Sequence, residues 1–73
     1  MAMTFEVWDT ETFNRVGSFP TQFEAEAFLR DVLRVNGPDV AAEMSIVSYA
    51  DAGSDPVLVL EGAKFVAQTE ALA

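Results

Sequence analysis

Carboxylates are the only plentiful reactive groups in this sequence, with twelve Asp and Glu against four Lys and Arg. Two pairs sit at spacings that chemistry can use. Asp9 and Glu11 share one turn-forming stretch, and Asp51 and Asp55 share another. Paired carboxylates perform general acid–base catalysis when one is protonated and the other ionised, or they hold a hard cation through oxygen. The second stretch departs from a calcium loop at both diagnostic positions. Its glycine is Gly53, not the sixth residue of such a loop, and Gly62 stands where the terminal bidentate Glu belongs. A glycosidase-type pair needs a substrate cleft, for which a chain of 73 residues has little room. Turn aspartates ordinarily bond to their own backbone, and that is the expectation here.

Other chemistries fall away by composition. There is no cysteine, which excludes disulfides, thiolate zinc sites and cysteine nucleophiles. There is no histidine, which removes the commonest metal ligand and the usual activator of a serine. Lys64 is the single lysine, and no Gly-rich phosphate loop or nucleophile elbow is present. The expectation is a non-catalytic chain with no catalytic residue, no cofactor and no metal.

A net charge of −8 bears on partners. Nucleic acid and anionic membrane surfaces both repel such a chain, so neither is expected as a partner. The longest strongly apolar run, Val57 to Leu60, is far short of the ~20 residues of a membrane span. The N-terminal stretch from Met1 to Glu6 carries no positive or apolar signal-peptide region, so a cytoplasmic location is expected. The acidity also admits an inhibitor that mimics nucleic acid. Such a mimic ranks its carboxylates along one face, whereas here they are scattered over turns and a helix start, and solubility is the simpler reading.

The elements that must position these residues are legible from periodicity. Residues 1–73 make one small domain, with a stability of about 4–7 kcal/mol expected at this size. Thr21 and Glu24 form a capping-box pattern that opens a helix running from about Thr21 to Val35. Ala25, Phe28, Leu29, Val32 and Leu33 make its buried stripe. Glu26 and Arg30 are a favoured i,i+4 pair, and Asn36-Gly37-Pro38 ends the helix. Thr4 to Asp9 and Arg15 to Phe19 read as strands around a turn. Asp39 to Met44 allows one further helical turn. Ser45 to Ala50 and Val57 to Glu61 read as two more strands. After Gly62 the residues suit a short C-terminal helix, with a longer strand bulged at Gly62 as the alternative. The fold class expected is α+β: a four-stranded antiparallel sheet in ββαββ order with the main helix on one face.

That architecture creates a shortfall. Phe5 and Val7 point one way while Glu6 and Trp8 point the other; Val47 and Tyr49 oppose Ile46; Val57 and Val59 oppose Leu58 and Leu60. Both sheet faces thus carry apolar side chains, and one helix covers one face. The remainder must be covered by the C-terminal segment or by another chain. The candidate interface is Trp8 with Leu58 and Leu60, or with Val57 and Val59 in their place. Phe23, on the helix side opposite the core stripe and in line with Ala27, Arg30 and Arg34, is a second docking candidate. It competes with the ordinary alternative that Phe23 packs on Phe19 or Phe13.

The stretch Val16-Gly17-Ser18-Phe19-Pro20-Thr21-Gln22-Phe23-Glu24-Ala25-Glu26-Ala27-Phe28-Leu29 resembles the strand-to-helix turn of the SPOR peptidoglycan-binding domain. The likeness lies in a Gly-Ser-Phe before a helix with alanine and leucine spacing. It spans under a quarter of the chain, and a second strand–helix unit of that kind is not evident, so it describes a shared way of passing from strand to helix. The function expected is a protein-interaction module, a homodimer or a partner-bound domain. A small-ligand or peptidoglycan-binding role and the acidic inhibitor stand behind it.

Overall fold

The computed structural model describes residues 3–50 and 55–72, with side chains through residue 69. It is the α+β arrangement that the periodicity predicts. The chain runs β1 (Thr4–Asp9), β2 (Asn14–Phe19), α1 (Gln22–Asn36), α2 (Pro38–Ala42), β3 (Met44–Tyr49), β4 (Val57–Glu61) and α3 (Gly62–Leu72). The strands form one sheet in the order β2-β1-β3-β4. All three pairings are antiparallel, so two hairpins lie side by side, with the first strand of each in the middle.

Helix α1 forms where its local signals agree. The Thr21 hydroxyl accepts from the Glu24 backbone N–H at 3.2 Å and donates to the Glu24 carboxylate at 3.2 Å. Ala25, Leu29 and Val32 are buried, with Phe28 and Leu33 packed partly against them. Gly37 closes the helix at φ +92°, a conformation that carries little cost only for glycine, and its N–H donates to the Leu33 carbonyl at 3.0 Å. Pro38 then opens the short α2. The expected Glu26–Arg30 pair does not form. Glu26 accepts from Gln22 at 2.8 Å, while Arg30 lies over the Phe23 ring at 6.0 Å.

The C-terminal segment is helical, which decides against the bulged strand. Gly62 is buried at the β4–α3 junction, and a Cβ there would strike the backbone carbonyl oxygens of Ala41 and Met44. Glycine lets α3 turn closely across the α2–β3 junction and deliver Phe65 and Val66 to the core. That core joins Val7 and Ile46 of the sheet to Ala25, Leu29 and Val32 of α1, Ala41 of α2, and Phe65 and Val66 of α3. All three helices therefore cover the same sheet face, α1 over β1, β2 and β3 and α3 over β3 and β4. Among the described residues, α3 does not fold back over the other face.

Candidate functional site

Alternation from the buried core residues fixes what the other sheet face, uncovered among the described residues, carries. Val7, Met44, Ile46 and Ser48 point to the helices, so Glu6, Trp8, Val47 and Tyr49 point away. The strand registers align the outer residues in rows. One row runs Arg15, Trp8, Ser45, Glu61, and the next Ser18, Glu6, Val47, Leu58.

Two register shifts shape this face. The first lies between Val7 and Trp8, whose partners on β2 are Gly17 and Arg15. Val16 is left over, and the bulge brings Arg15 onto the outer face beside Trp8. The second lies between Ile46 and Val47, paired with Leu60 and Leu58, and leaves Val59 over. It corrects the expectation that Leu58 and Leu60 share a face. Leu58 lies in the outer row at 55% exposure, whereas Leu60 and Val59 both pack partly against the core. Strict alternation fails because a bulge inserts one residue and inverts the facing beyond it.

A polar cluster is set into this face. The Trp8 indole N–H donates to Glu6 Oε1 at 3.0 Å, and Arg15 Nη1 donates to Glu6 Oε2 at 3.0 Å. Glu6 is only 8% exposed, so its charge is compensated by Arg15 and both carboxylate oxygens have donors. Sequence reading missed this cluster, because Arg15 reaches Glu6 through a bulge that alternation cannot foresee. The available signal was a glutamate between Phe5 and Val7 with tryptophan two residues on and arginine across the hairpin.

Beside the cluster lies an open apolar concavity of about 290 Å³, lined by Trp8, Asp9, Thr10, Phe13, Val47, Tyr49 and Pro56. Phe13 is 80% exposed and sits at φ +60°, in the left-handed region that side-chain-bearing residues seldom occupy. The expected packing of Phe23 on Phe19 or Phe13 is absent. Phe19 instead meets Phe28, with ring centroids 5.4 Å apart, and Phe23 stands 75% exposed on the far side of α1.

Acidic residues gather at the Thr10 end of the concavity. Asp9 Oδ1 accepts from the backbone N–H groups of Glu11 at 2.9 Å and Thr12 at 3.3 Å, the local bonding expected of a turn aspartate. Thr10 donates through its N–H at 2.8 Å and its hydroxyl at 2.7 Å to the Glu43 carbonyl, tying the hairpin turn to the α2–β3 junction. This brings Glu11 beside Glu43. Protonated Glu43 donates a hydrogen bond to the Glu11 carboxylate, which raises the Glu43 pKa, and repulsion from Glu11, Asp9 and Asp39 adds to the effect. Asp9, Glu11, Asp39 and Glu43 thus gather at one end of the sheet. No group of three or more acidic residues among the described residues is arranged to hold a metal ion. Asp51 lies outside the described residues, and with it the Asp51–Asp55 pair. No helix among the described residues is long and apolar enough to cross a membrane.

Compared with protein-family models, with curated proteins and with solved structures, the chain matches none of them.

Proposed function

We propose that this chain is a non-catalytic protein-interaction module that self-associates through the uncovered face of its sheet. The observation that supports this reading is one-sided coverage. All three helices lie on one face, and Trp8, Val47, Tyr49 and Leu58 lie on the other without a layer above them among the described residues. Apolar groups gathered in one patch and rimmed by charge are the pattern of an association surface, and tryptophan and tyrosine are the residues that most often dominate binding there. Phe13 strengthens the reading, because a strained and exposed aromatic beside the patch contributes nothing to the core.

Sedimentation equilibrium of the wild-type chain and of Leu58→Asp tests it. Leu58 is on the outer face and more than half exposed, so the aspartate is solvated in a monomer and placed against apolar groups in an assembly. The expected result is association of the wild type in the micromolar range and a monomeric variant of unchanged fold. A wild-type chain that stays monomeric at high micromolar concentration overturns the proposal.

A second reading, capture of a small apolar ligand, is favoured by the concavity beside Trp8 and Tyr49. A thermal-shift screen separates the two, since a specific ligand raises the melting temperature by mass action at fixed protein concentration. The peptidoglycan reading rests on the local likeness of residues 16–29 alone.

A further inference from the structure

The uncovered sheet face has a chemical preference. It offers an apolar concavity with carboxylates at one end, so its complement is an apolar side chain accompanied by cations. The chain contains four basic residues: Arg15, Arg30, Arg34 and Lys64. Arg15 is on the sheet face itself but is engaged by Glu6 at 3.0 Å. A two-fold contact of this face with itself therefore gives the acidic end no free counterion.

The outer side of α1 supplies what the sheet face lacks. Phe23, Ala27, Arg30 and Arg34 follow one another at helical spacing, on the side opposite the buried Ala25, Leu29 and Val32. Phe23 is three-quarters exposed, and the Arg30 guanidinium lies 6.0 Å from its ring centroid. Arg34 contacts Asp31 at 3.2 Å, with both side chains largely solvated, a pairing weak enough to exchange. The two surfaces share one helix-on-sheet unit but face away from each other, because each is the reverse of a surface turned to the core.

We infer that the occupant of the uncovered sheet face is the Phe23–Arg30–Arg34 stripe of a second copy of this chain. The inference rests on self-association through the sheet face and adds the identity of the surface that meets it. Phe23 of one copy enters the concavity lined by Trp8, Phe13, Val47 and Tyr49 of the next, and the arginines approach Asp9, Glu11 and Glu43 at its rim. Such a contact joins unlike surfaces. Each added copy presents a fresh stripe and a fresh concavity, so assembly continues head to tail or closes as a ring, whereas a two-fold dimer stops at two. At physiological salt the Debye length is ~8 Å, so repulsion between copies of net charge −8 is screened at long range while contacts at the rim persist.

Complementation of two defective chains tests this. Trp8→Ala spoils the concavity and leaves the stripe; Phe23→Ser spoils the stripe and leaves the concavity. Each variant alone should associate at least about tenfold more weakly than the wild type. Mixed in equal amounts they should restore one good contact and give a heterodimer that grows no further, seen by sedimentation velocity. Tyr49→Ser, at another residue lining the concavity, replaces Trp8→Ala if the latter loses its native circular dichroism. Phe23→Ser associating like the wild type while the sheet-face variant does not overturns the inference and leaves self-association through that face standing. A mixture that stays monomeric also overturns it. A monomeric wild type overturns both.

Discussion

The indole N–H of Trp8 donates to Glu6 Oε1 at 3.0 Å, and both side chains lie on the sheet face turned away from the helices. The bond fixes the orientation of the one tryptophan on a surface that would otherwise let it rotate. Glu6→Ala should cost about 1.5–3 kcal/mol, the range for a hydrogen bond to a charged group, because it leaves a half-buried indole N–H without its acceptor. Glu6→Gln keeps an acceptor for Trp8 but turns its amide NH2 toward the Arg15 guanidinium, which is exposed enough to swing into solvent, so about 0–1 kcal/mol is expected. Denaturant titration followed by near-ultraviolet circular dichroism measures both effects. Equal losses in the two variants would mean that the ion pair, not the indole bond, sets the cost.

Of the described glycines, Gly62 alone lies directly against backbone. A methyl group there meets the carbonyl oxygens of Ala41 and Met44, and neither can turn aside as a side chain would. Gly62→Ala should destabilise by about 1–3 kcal/mol or more through a shift of α3. Thermal unfolding checks it, and a melting temperature equal to the wild type contradicts the described α3 junction.

Phe13 should be replaceable with a gain. Its φ of +60° suits Asn or Gly far better than an aromatic residue, and its ring contributes little packing at 80% exposure. Phe13→Asn is expected to stabilise the monomer by about 0.5–1 kcal/mol while weakening self-association. The opposite signs distinguish an interface residue from a merely strained one. Unfolding at dilute concentration and sedimentation at high concentration read the two separately.

Glu43 gives the protein a pH dependence of definite sign. Its folded-state pKa is raised above its ordinary 4.5, first by the hydrogen bond with Glu11 and then by repulsion from neighbouring carboxylates. The folded state therefore binds this proton more tightly than the unfolded state. The resulting stabilisation is fully present below the ordinary pKa and is lost as pH rises through the raised one. The melting temperature should climb as pH falls from neutrality toward that window, and Glu43→Gln should remove part of the climb. A slope unchanged in the variant would assign the effect to other carboxylates.

What the sequence disclosed followed from the number of independent signals at each element. Helix α1 carries a cap, an apolar stripe and a glycine stop, and it begins at Gln22 behind Thr21 as those signals require. The pairings of β1 with β2 and of β3 with β4 follow from two hairpins around a helix, whereas the central β1–β3 pairing carries no local signal. β4 was legible as a strand but not in its facing, since the unpaired Val59 separates Leu58 from Leu60 and nothing local marks the bulge. The segment after Gly62 admitted two structures because a glycine serves either a bulge or a close crossing. The close approach to Ala41 and Met44 decides it, and that contact spans about twenty residues of chain. The Glu6–Trp8–Arg15 cluster was illegible for a related reason: its register depends on the unpaired Val16.

Iodide quenching of Trp8 fluorescence across a dilution series tests the central claim most directly. Trp8 is the only tryptophan and lies on the uncovered face, so its accessibility reports whether another chain covers that face. Protection from iodide that rises with protein concentration, in step with the sedimenting mass, is the predicted result. Quenching that is the same at low and high micromolar concentration would contradict it.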